Sequence, residues 1–380
     1  MRLLLAAGLA LVSHAAEPKF VAPLPAPSQI DVRKNVAYKK VNGSDLVMDV
    51  YRPAKRTKNE KLPVIVFMNG FGGQSQREHP QYKGWGALAA GNGFIAINPD
   101  THTEGIEEDF DSLAAYIRDH AAELNADPDR IGLYACSGHV SKSFAMIEDP
   151  KRTTIKAAAI YYGVGSVPAW RFDLPVLYVR AGLDRPGMNK ILDAIAAEAN
   201  AANAPVTLVN YAGGHHGFEI IDDNETTRDV IAQTLRFFKT TLTPAYQSAL
   251  KASVPTAAAV GAVGRGDYET AVRLYAPLAA ANPGDSRLQL SYGEALLGAK
   301  RYAEATTQFD KLRGNRNLGP RDLGLPAARA AAQSGDTTKA LEWLSTIPAR
   351  FMPNDVARDP AFRTLEGDPK FLAVLNRPKN

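Results

Sequence analysis

The segment 130-RIGLYACSGH-139 decides how this chain should fold. Its first part, Ile131 to Ala135, is the short apolar run of a buried strand, and Val140 to Ile147 can continue as a helix. Small residues lie between the two, with Ser137 among them. A strand–turn–helix arrangement of this kind pushes one side chain out at the end of a sheet and aims backbone N–H groups at the same point. Ser137 is therefore a candidate nucleophile.

Two later segments hold the groups that a serine nucleophile needs. Asp184 follows the apolar run Val176 to Ala181 and a glycine turn, where a carboxylate can orient an imidazole. His216 lies in the stretch Gly-Gly-His-His-Gly-Phe after the run Val206 to Tyr211, where it can act as the base that a serine hydroxyl requires. The order Ser, Asp, His along the chain is the order expected of the α/β-hydrolase fold.

From about Val36 to Leu242 the chain resembles α/β-hydrolases of the dienelactone hydrolase and esterase type. The resemblance rests on these three segments and on the upstream stretch 67-FMNGFGG-73, which follows a predicted strand. It implies a doubly wound, mostly parallel sheet with a Ser137, Asp184 and His216 triad. It also implies an oxyanion hole formed by the backbone N–H groups of Phe71 and Gly138.

The elbow of this chain departs from the family pattern at two positions. The family reads Gly-x-Ser-x-Gly, whereas Ala135 and His139 replace the two glycines here. The alanine is a mild change, but a small residue at the second position normally lets the helix pack close to the strand. Gly138 can absorb the strain of the turn, because glycine tolerates backbone angles that other residues avoid.

Two neighbouring residues are rivals for the assigned roles. Cys136 is one, because dienelactone hydrolases use a cysteine nucleophile. The strand register places Cys136 one residue before the elbow position, so we interpret it as a buried, inert thiol. His215 is the other rival, but the family histidine directly precedes Gly-Phe, which favours His216 as the base. His215 then has a role in the loop or in contact with substrate.

The sequence therefore predicts a serine hydrolase that cleaves carboxylic esters or lactones through an acyl-enzyme. A peptidase of the prolyl-oligopeptidase branch is one alternative, which the missing propeller domain disfavours. Another is an inactive scaffold that binds a partner through carboxyl-terminal repeats; the retained triad disfavours it, and His139 mildly favours it. The sequence has no paired-histidine metal spacing and no phosphate-binding Gly-Lys-Ser/Thr loop, so we expect no cofactor and no metal.

The amino terminus predicts export. Basic Arg2, the apolar run Leu3 to Val12 and small residues up to Ala16 are typical of a secretory signal at residues 1–16. The apolar run is too short to span a bilayer, so we expect a periplasmic or secreted protein without a membrane span. A proline-rich, extended leader should follow at 17–35. The net charge of +4, or +3 without Arg2, gives no indication of nucleic-acid binding.

A change of pattern near Pro244 predicts two domains. Residues 36–244 alternate short apolar runs with helical patterns, which indicates a doubly wound sheet. Residues 245–380 are helical and alanine-rich, with pairs of similar residues spaced by 34, the tetratricopeptide period. These pairs are Ala259/Gly293, Tyr268/Tyr302, Ala271/Ala305, Tyr275/Phe309 and Leu278/Leu312. We expect two repeats, a degenerate third and a capping helix pair. They could bind a protein partner or wall the active site, or form a tail that only packs on the hydrolase.

Overall fold

The computed structural model describes residues 19–57, 59–68, 76–102 and 105–378. The predicted signal at 1–16 and the predicted oxyanion donor Phe71 lie outside these residues. The described chain forms two compact units. The first comprises the described residues up to Pro168, Leu174–Ala194 and Thr207–Thr243. The second comprises Ala169–Asp173, Ile195–Val206 and the residues from Pro244 onward.

An eight-stranded sheet forms the centre of the first unit. Its strands are β1 (Ile30–Val41), β2 (Ser44–Pro53), β3 (Leu62–Met68), β4 (Ile95–Pro99), β5 (Ala126–Cys136), β6 (Ile155–Tyr161), β7 (Val176–Ala181) and β8 (Val206–Tyr211). They lie in the order β1-β2-β4-β3-β5-β6-β7-β8. The first two pair antiparallel, β2 pairs antiparallel with β4, and the pairs from β4 to β7 are parallel. The predicted α/β-hydrolase fold class is confirmed.

Helices connect the parallel strands, since a parallel pair needs a long crossover connection. The helices between successive strands are α1 (Pro80–Gly91), α2 (Ile106–Asp119), α3 (Ala121–Leu124), α4 (Val140–Glu148) and α5 (Pro186–Ala201), and two more follow β8, α6 (Phe218–Ile221) and α7 (Glu225–Thr241). The sequence pattern predicts one helix from Glu108 to Leu124. The structure has α2 and α3 instead, because the backbone leaves helical geometry at His120.

Part of the leader predicted for residues 17–35 is packed: Phe20 and Ala22 are buried and the chain joins the sheet from Ile30, whereas most of the other described residues of this segment are exposed. Phe20 is buried, and its ring meets that of Trp85 edge-on with centroids 5.6 Å apart. The backbone N–H of Val21 donates to the carbonyl of Glu219 at 2.9 Å, and β1 already begins at Ile30. The prolines favour extended backbone, but they do not prevent the apolar residues between them from packing.

Paired helices build the second unit, and several of its aromatic residues are buried between them. The helices are α8 (Pro244–Gly264), α9 (Tyr268–Ala281), α10 (Ser286–Gly298), α11 (Tyr302–Asp310), α12 (Pro320–Gln333), α13 (Thr337–Thr346) and α14 (Pro369–Leu375). Tyr275 and Phe309, one of the pairs spaced by 34, are both buried in its core. The side chains of Asp359 and Asp368 cap the last two short helices, the first of which is a 3₁₀ helix. In the described part of the chain, none of the helices has the length and apolar character needed to cross a bilayer.

The second unit also takes in part of the chain before Pro244. An added Cβ at Gly261 in α8 would lie only 2.0 Å from the carbonyl oxygen of Ala202. Nearby, the side-chain amide of Asn203 donates to the carbonyl of Ala257 at 3.3 Å. The sequence pattern changes at Pro244, but the second unit contains residues on both sides of this position.

Because of this contact, we expect Gly261→Ala to destabilise the protein, although the same change in a helix is normally stabilising. Alanine in a helix normally stabilises by about 1 kcal/mol relative to glycine. Here the new methyl group has no room beside the backbone of Ala202, so we expect a loss of about 1–3 kcal/mol in the free energy of unfolding. Urea unfolding followed by circular dichroism measures it. Gly187→Ala in α5 is the control, because an added Cβ there meets nothing within 4 Å. Stabilisation by both changes would contradict the close contact.

Candidate active site

The candidate nucleophile lies where β5 ends. Ser137 follows Cys136 and opens a 3₁₀ turn, Ser137–His139, that leads directly into α4. Its φ angle is +53°, a value that residues other than glycine rarely adopt. The strain expected at Gly138 thus falls on the serine itself, because the chain makes its turn from strand to helix at this residue. Strained backbone of this kind is common at functional sites.

A glycine on the neighbouring strand end lets the elbow pack closely. An added Cβ at Gly163, just after β6, would lie 2.4 Å from Cγ2 of Val140 and 2.6 Å from the carbonyl oxygen of Ser137. Only glycine fits so near the elbow. The family has a small residue at the position of His139, and this chain does not. Here the small residue is Gly163, on the strand end that packs against the elbow. No sequence pattern indicates this role for Gly163, because the contact joins the ends of two different strands.

The structure brings Ser137, His216 and Asp184 together. Oγ of Ser137 lies 2.8 Å from Nε2 of His216, and Nδ1 of His216 lies 2.7 Å from Oδ2 of Asp184. The Asp184 side chain is 3% exposed and that of His216 is 35% exposed. This geometry can pass a proton from the hydroxyl to the imidazole while the carboxylate fixes the imidazole tautomer.

Backbone hydrogen bonds hold the two loops that carry Asp184 and His216 against each other. The N–H of Gly182 donates to the carbonyl of Tyr211 at 2.8 Å, and that of Leu183 donates to Gly214 at 2.9 Å. The first loop follows β7 and the second follows β8, which are neighbours in the sheet. Neighbouring strand ends thus place the carboxylate beside the imidazole.

His215, the rival histidine, bonds to a different carboxylate. Its Nδ1 lies 2.8 Å from Oδ1 of Asp222, and its backbone N–H donates to Oδ2 at 2.7 Å. Its side chain is 52% exposed. Asp222 precedes α7, and the side chain of Asn224 caps that helix. His215 and Asp222 together stiffen the loop that presents His216.

Cys136 lies inside the protein. Its side chain is buried, with Sγ 3.4 Å from the hydroxyl of Tyr82. Burial, and next the nearby carboxylate of Glu219, raise the pKa of the thiol to about 12. A thiol with this pKa holds almost no thiolate at neutral pH, and the thiolate is the nucleophilic form. The predicted burial of Cys136 is confirmed.

His139 is buried beside the elbow, and burial lowers the pKa of its imidazole to about 4. The ordinary value is 6.5, so between these values the unfolded chain binds a proton that the folded chain does not. Burying the neutral imidazole therefore costs no stability above pH 6.5. As the pH falls from 6.5 toward 4, the free energy of unfolding decreases progressively.

We expect His139→Gln to remove part of this acid sensitivity. Between the two pKa values, His139 should lower the free energy of unfolding by on the order of 1.4 kcal/mol for each pH unit of acidification, and the variant should lack this loss. The measurement is the midpoint of thermal unfolding at a series of pH values from 7 to 4, for the variant and the unchanged protein. Parallel curves would show that His139 does not titrate in this window.

Gly138 is the described member of the predicted oxyanion hole. It directly follows Ser137 at the start of the turn into α4 and is partly exposed. Its backbone thus lies where a helix begins and where N–H groups lack helical partners.

Within the described ranges, no group of three or more His, Cys, Asp or Glu side chains is arranged to hold a metal ion.

Comparison with protein families decides the identity of this region. Residues 49–242, just over half of the chain, match the dienelactone hydrolase family. The chain belongs to the dienelactone hydrolase family. In the helical region of this dienelactone hydrolase family member, residues 262–318 match the tetratricopeptide repeat, which confirms repeats there, while the degenerate third repeat stays a prediction. A search of curated proteins gave no match.

Solved structures of several esterases are similar to this chain. An esterase from Rhizomucor miehei is 15% identical, with a TM-score of 0.47 over 58% of this chain and 86% of its own. Esterase 2 from Thermogutta terrifontis is 21% identical, with a TM-score of 0.47 over 58% of this chain and 98% of its own. An esterase from Pyrobaculum calidifontis is 16% identical, with a TM-score of 0.46 over 57% and 87%.

Proposed function

We propose that this member of the dienelactone hydrolase family is an exported serine hydrolase that cleaves carboxylic esters or lactones. One observation carries the proposal: Ser137, His216 and Asp184 form a continuous chain of hydrogen bonds at the ends of neighbouring strands. Family membership supports hydrolysis. The buried Cys136, with its raised pKa, supports the serine as nucleophile.

In the proposed reaction, Oγ of Ser137 attacks the carbonyl carbon while Nε2 of His216 takes its proton. Asp184 accepts a hydrogen bond from Nδ1–H and stabilises the imidazolium. The N–H of Gly138, together with that of Phe71, donates to the oxyanion, and such a donor contributes about 3 kcal/mol to transition-state stabilisation. His216 then protonates the leaving alcohol, and water repeats the sequence on the acyl-enzyme.

The helical unit supports a second element of the proposal, a protein partner. A groove of about 410 Å³ between α9, α10 and α11 is lined by alanines and by Tyr292, Gln308, Lys311 and Leu312. Repeats of this kind present extended surfaces for binding. We place the partner in this groove; its test is loss of co-purification after Tyr292→Ala together with Lys311→Glu.

A fluorophosphonate probe tests the hydrolase directly. We expect the full chain to become labelled and to hydrolyse p-nitrophenyl acetate and butyrate, while a peptide p-nitroanilide stays intact. Labelling without ester turnover would point to a different acyl substrate. Absence of both would support the inactive scaffold instead. Amino-terminal sequencing of the protein recovered from the periplasm or the medium tests export; the expected first residue is Ala16 or Glu17.

A further inference from the structure

A buried carboxylate lies three residues after the histidine of the triad. Glu219 in α6 is fully buried, and its side chain accepts four hydrogen bonds from neutral donors. Oε1 accepts from the Tyr134 hydroxyl at 2.6 Å, the Gln81 amide at 3.1 Å and the Trp85 indole at 3.3 Å. Oε2 accepts from the Tyr162 hydroxyl at 2.8 Å. The role proposed above for the triad does not use this network.

Tyr162 connects the network to His216. The ring of Tyr162 packs against the imidazole with centroids 4.7 Å apart. Its backbone has a φ of +31°, an outlier for a bulky residue, and its N–H donates to the carbonyl of Val179 in β7 at 2.8 Å. The Gln81 amide donates to the Tyr162 hydroxyl at 2.7 Å, so the proton of that hydroxyl is directed toward Glu219. The ring is thereby fixed at both ends.

The chemistry of the network requires an acceptor at position 219. An ionised carboxylate only accepts hydrogen bonds, and all four surrounding groups donate to it. A glutamine of the same shape would instead present N–H groups to these donors and leave at least one buried polar group unsatisfied. Burial raises the pKa of Glu219, and the hydrogen bonds from Tyr134 and Tyr162 offset this rise only in part.

We propose that Glu219 is a positioning residue for His216. Through the Tyr162 hydroxyl it fixes the aromatic ring that packs against the imidazole, and so it keeps Nε2 directed at Ser137. The inference rests on the proposed function for its effect on turnover. Its effect on the imidazole does not depend on any substrate. Small displacements of a reacting group cost far more in rate than in binding, because the aligned geometry is needed only in the transition state.

Three variants test the role by kinetics: Glu219→Gln, Tyr162→Phe and the double change. We expect Glu219→Gln to lower kcat for p-nitrophenyl butyrate about ten- to a hundredfold, with KM changed by less than about twofold. Tyr162→Phe should lower kcat in the same direction. Since both act on His216 through one contact, the double variant should be no slower than the slower single variant. Losses that multiply, or a change confined to KM, would overturn the proposal.

A second measurement does not require activity. In protein labelled with ¹⁵N-histidine, the Nδ1–H between His216 and Asp184 should give a downfield proton resonance, with His215→Ala used to separate the signal of the other histidine–aspartate pair. Glu219→Gln should broaden or remove this resonance. Glu148→Gln, a change at another buried glutamate in α4, should leave it in place. An unaltered resonance in Glu219→Gln refutes the positioning role, whether or not the chain proves to be a hydrolase. A chain with the expected resonance changes but no turnover would instead count against the proposed function alone.

Discussion

Ser137→Ala is expected to abolish ester hydrolysis. Without Oγ there is no acyl-enzyme, and loss of a serine nucleophile in such a triad lowers kcat by about six orders of magnitude. The alanine removes one oxygen atom whose neighbour is Nε2 of His216, so the variant should fold normally. Initial rates with p-nitrophenyl butyrate, together with fluorophosphonate labelling of the full chain, measure the effect.

Cys136→Ala is the matched control for this change. It removes the adjacent side chain, but from the buried side of the elbow, where the hydroxyl of Tyr82 lies 3.4 Å from Sγ. We expect most of the activity and all of the labelling to remain. If the cysteine change alone stopped turnover and blocked labelling, the nucleophile would be Cys136.

His216→Ala should lower the rate of acylation by at least about three orders of magnitude, because the serine hydroxyl then has no base. Its imidazole is the only one among the described residues that bonds to both Ser137 and Asp184. Stopped-flow measurement of p-nitrophenol release separates acylation from later steps.

His215→Ala gives the comparison for the base. It removes an imidazole next in sequence, of the same size, which bonds to Asp222 instead. We expect a decrease of less than about tenfold, because the loop loses a contact but keeps the backbone bond between Leu183 and Gly214. A larger loss at His215 than at His216 would reverse the assignment.

The triad could be assembled from the sequence because each member follows the end of a predicted strand. Parallel strands bring their carboxyl ends to one edge of a sheet, so Ser137, Asp184 and His216 had to lie along it. The strands β7 and β8 have the bounds of the predicted apolar runs, although only β7 is buried along most of its length and Tyr211 alone is buried in β8. The histidine before Gly-Phe is the one that bonds to the serine.

Contacts between residues far apart in sequence could not be predicted in this way. The network around Glu219 joins α1, β5, the end of β6 and α6, and none of these pairings leaves a periodic signal. The burial of Phe20 depends on Trp85 in the same manner. The second unit takes in Ile195–Val206 for a similar reason, since two glycines of α8, Gly261 and Gly264, lie against the backbone of Ala201 and Ala202 where a Cβ has no room.

The bond from Val21 to Glu219 has a consequence for the order in which the chain folds. It joins two residues that are nearly 200 positions apart in the sequence, one near the start and one near the end of the first unit. On a ribosome the docking site for Phe20 and Val21 does not exist until almost the whole unit has been synthesised, and closing so long a loop is entropically costly. The amino-terminal segment should therefore dock among the last steps of folding. If the proposed export takes place before folding, Phe20 and Val21 stay undocked while the chain crosses the membrane. They would then dock at the same stage at which the loop that carries His216 folds.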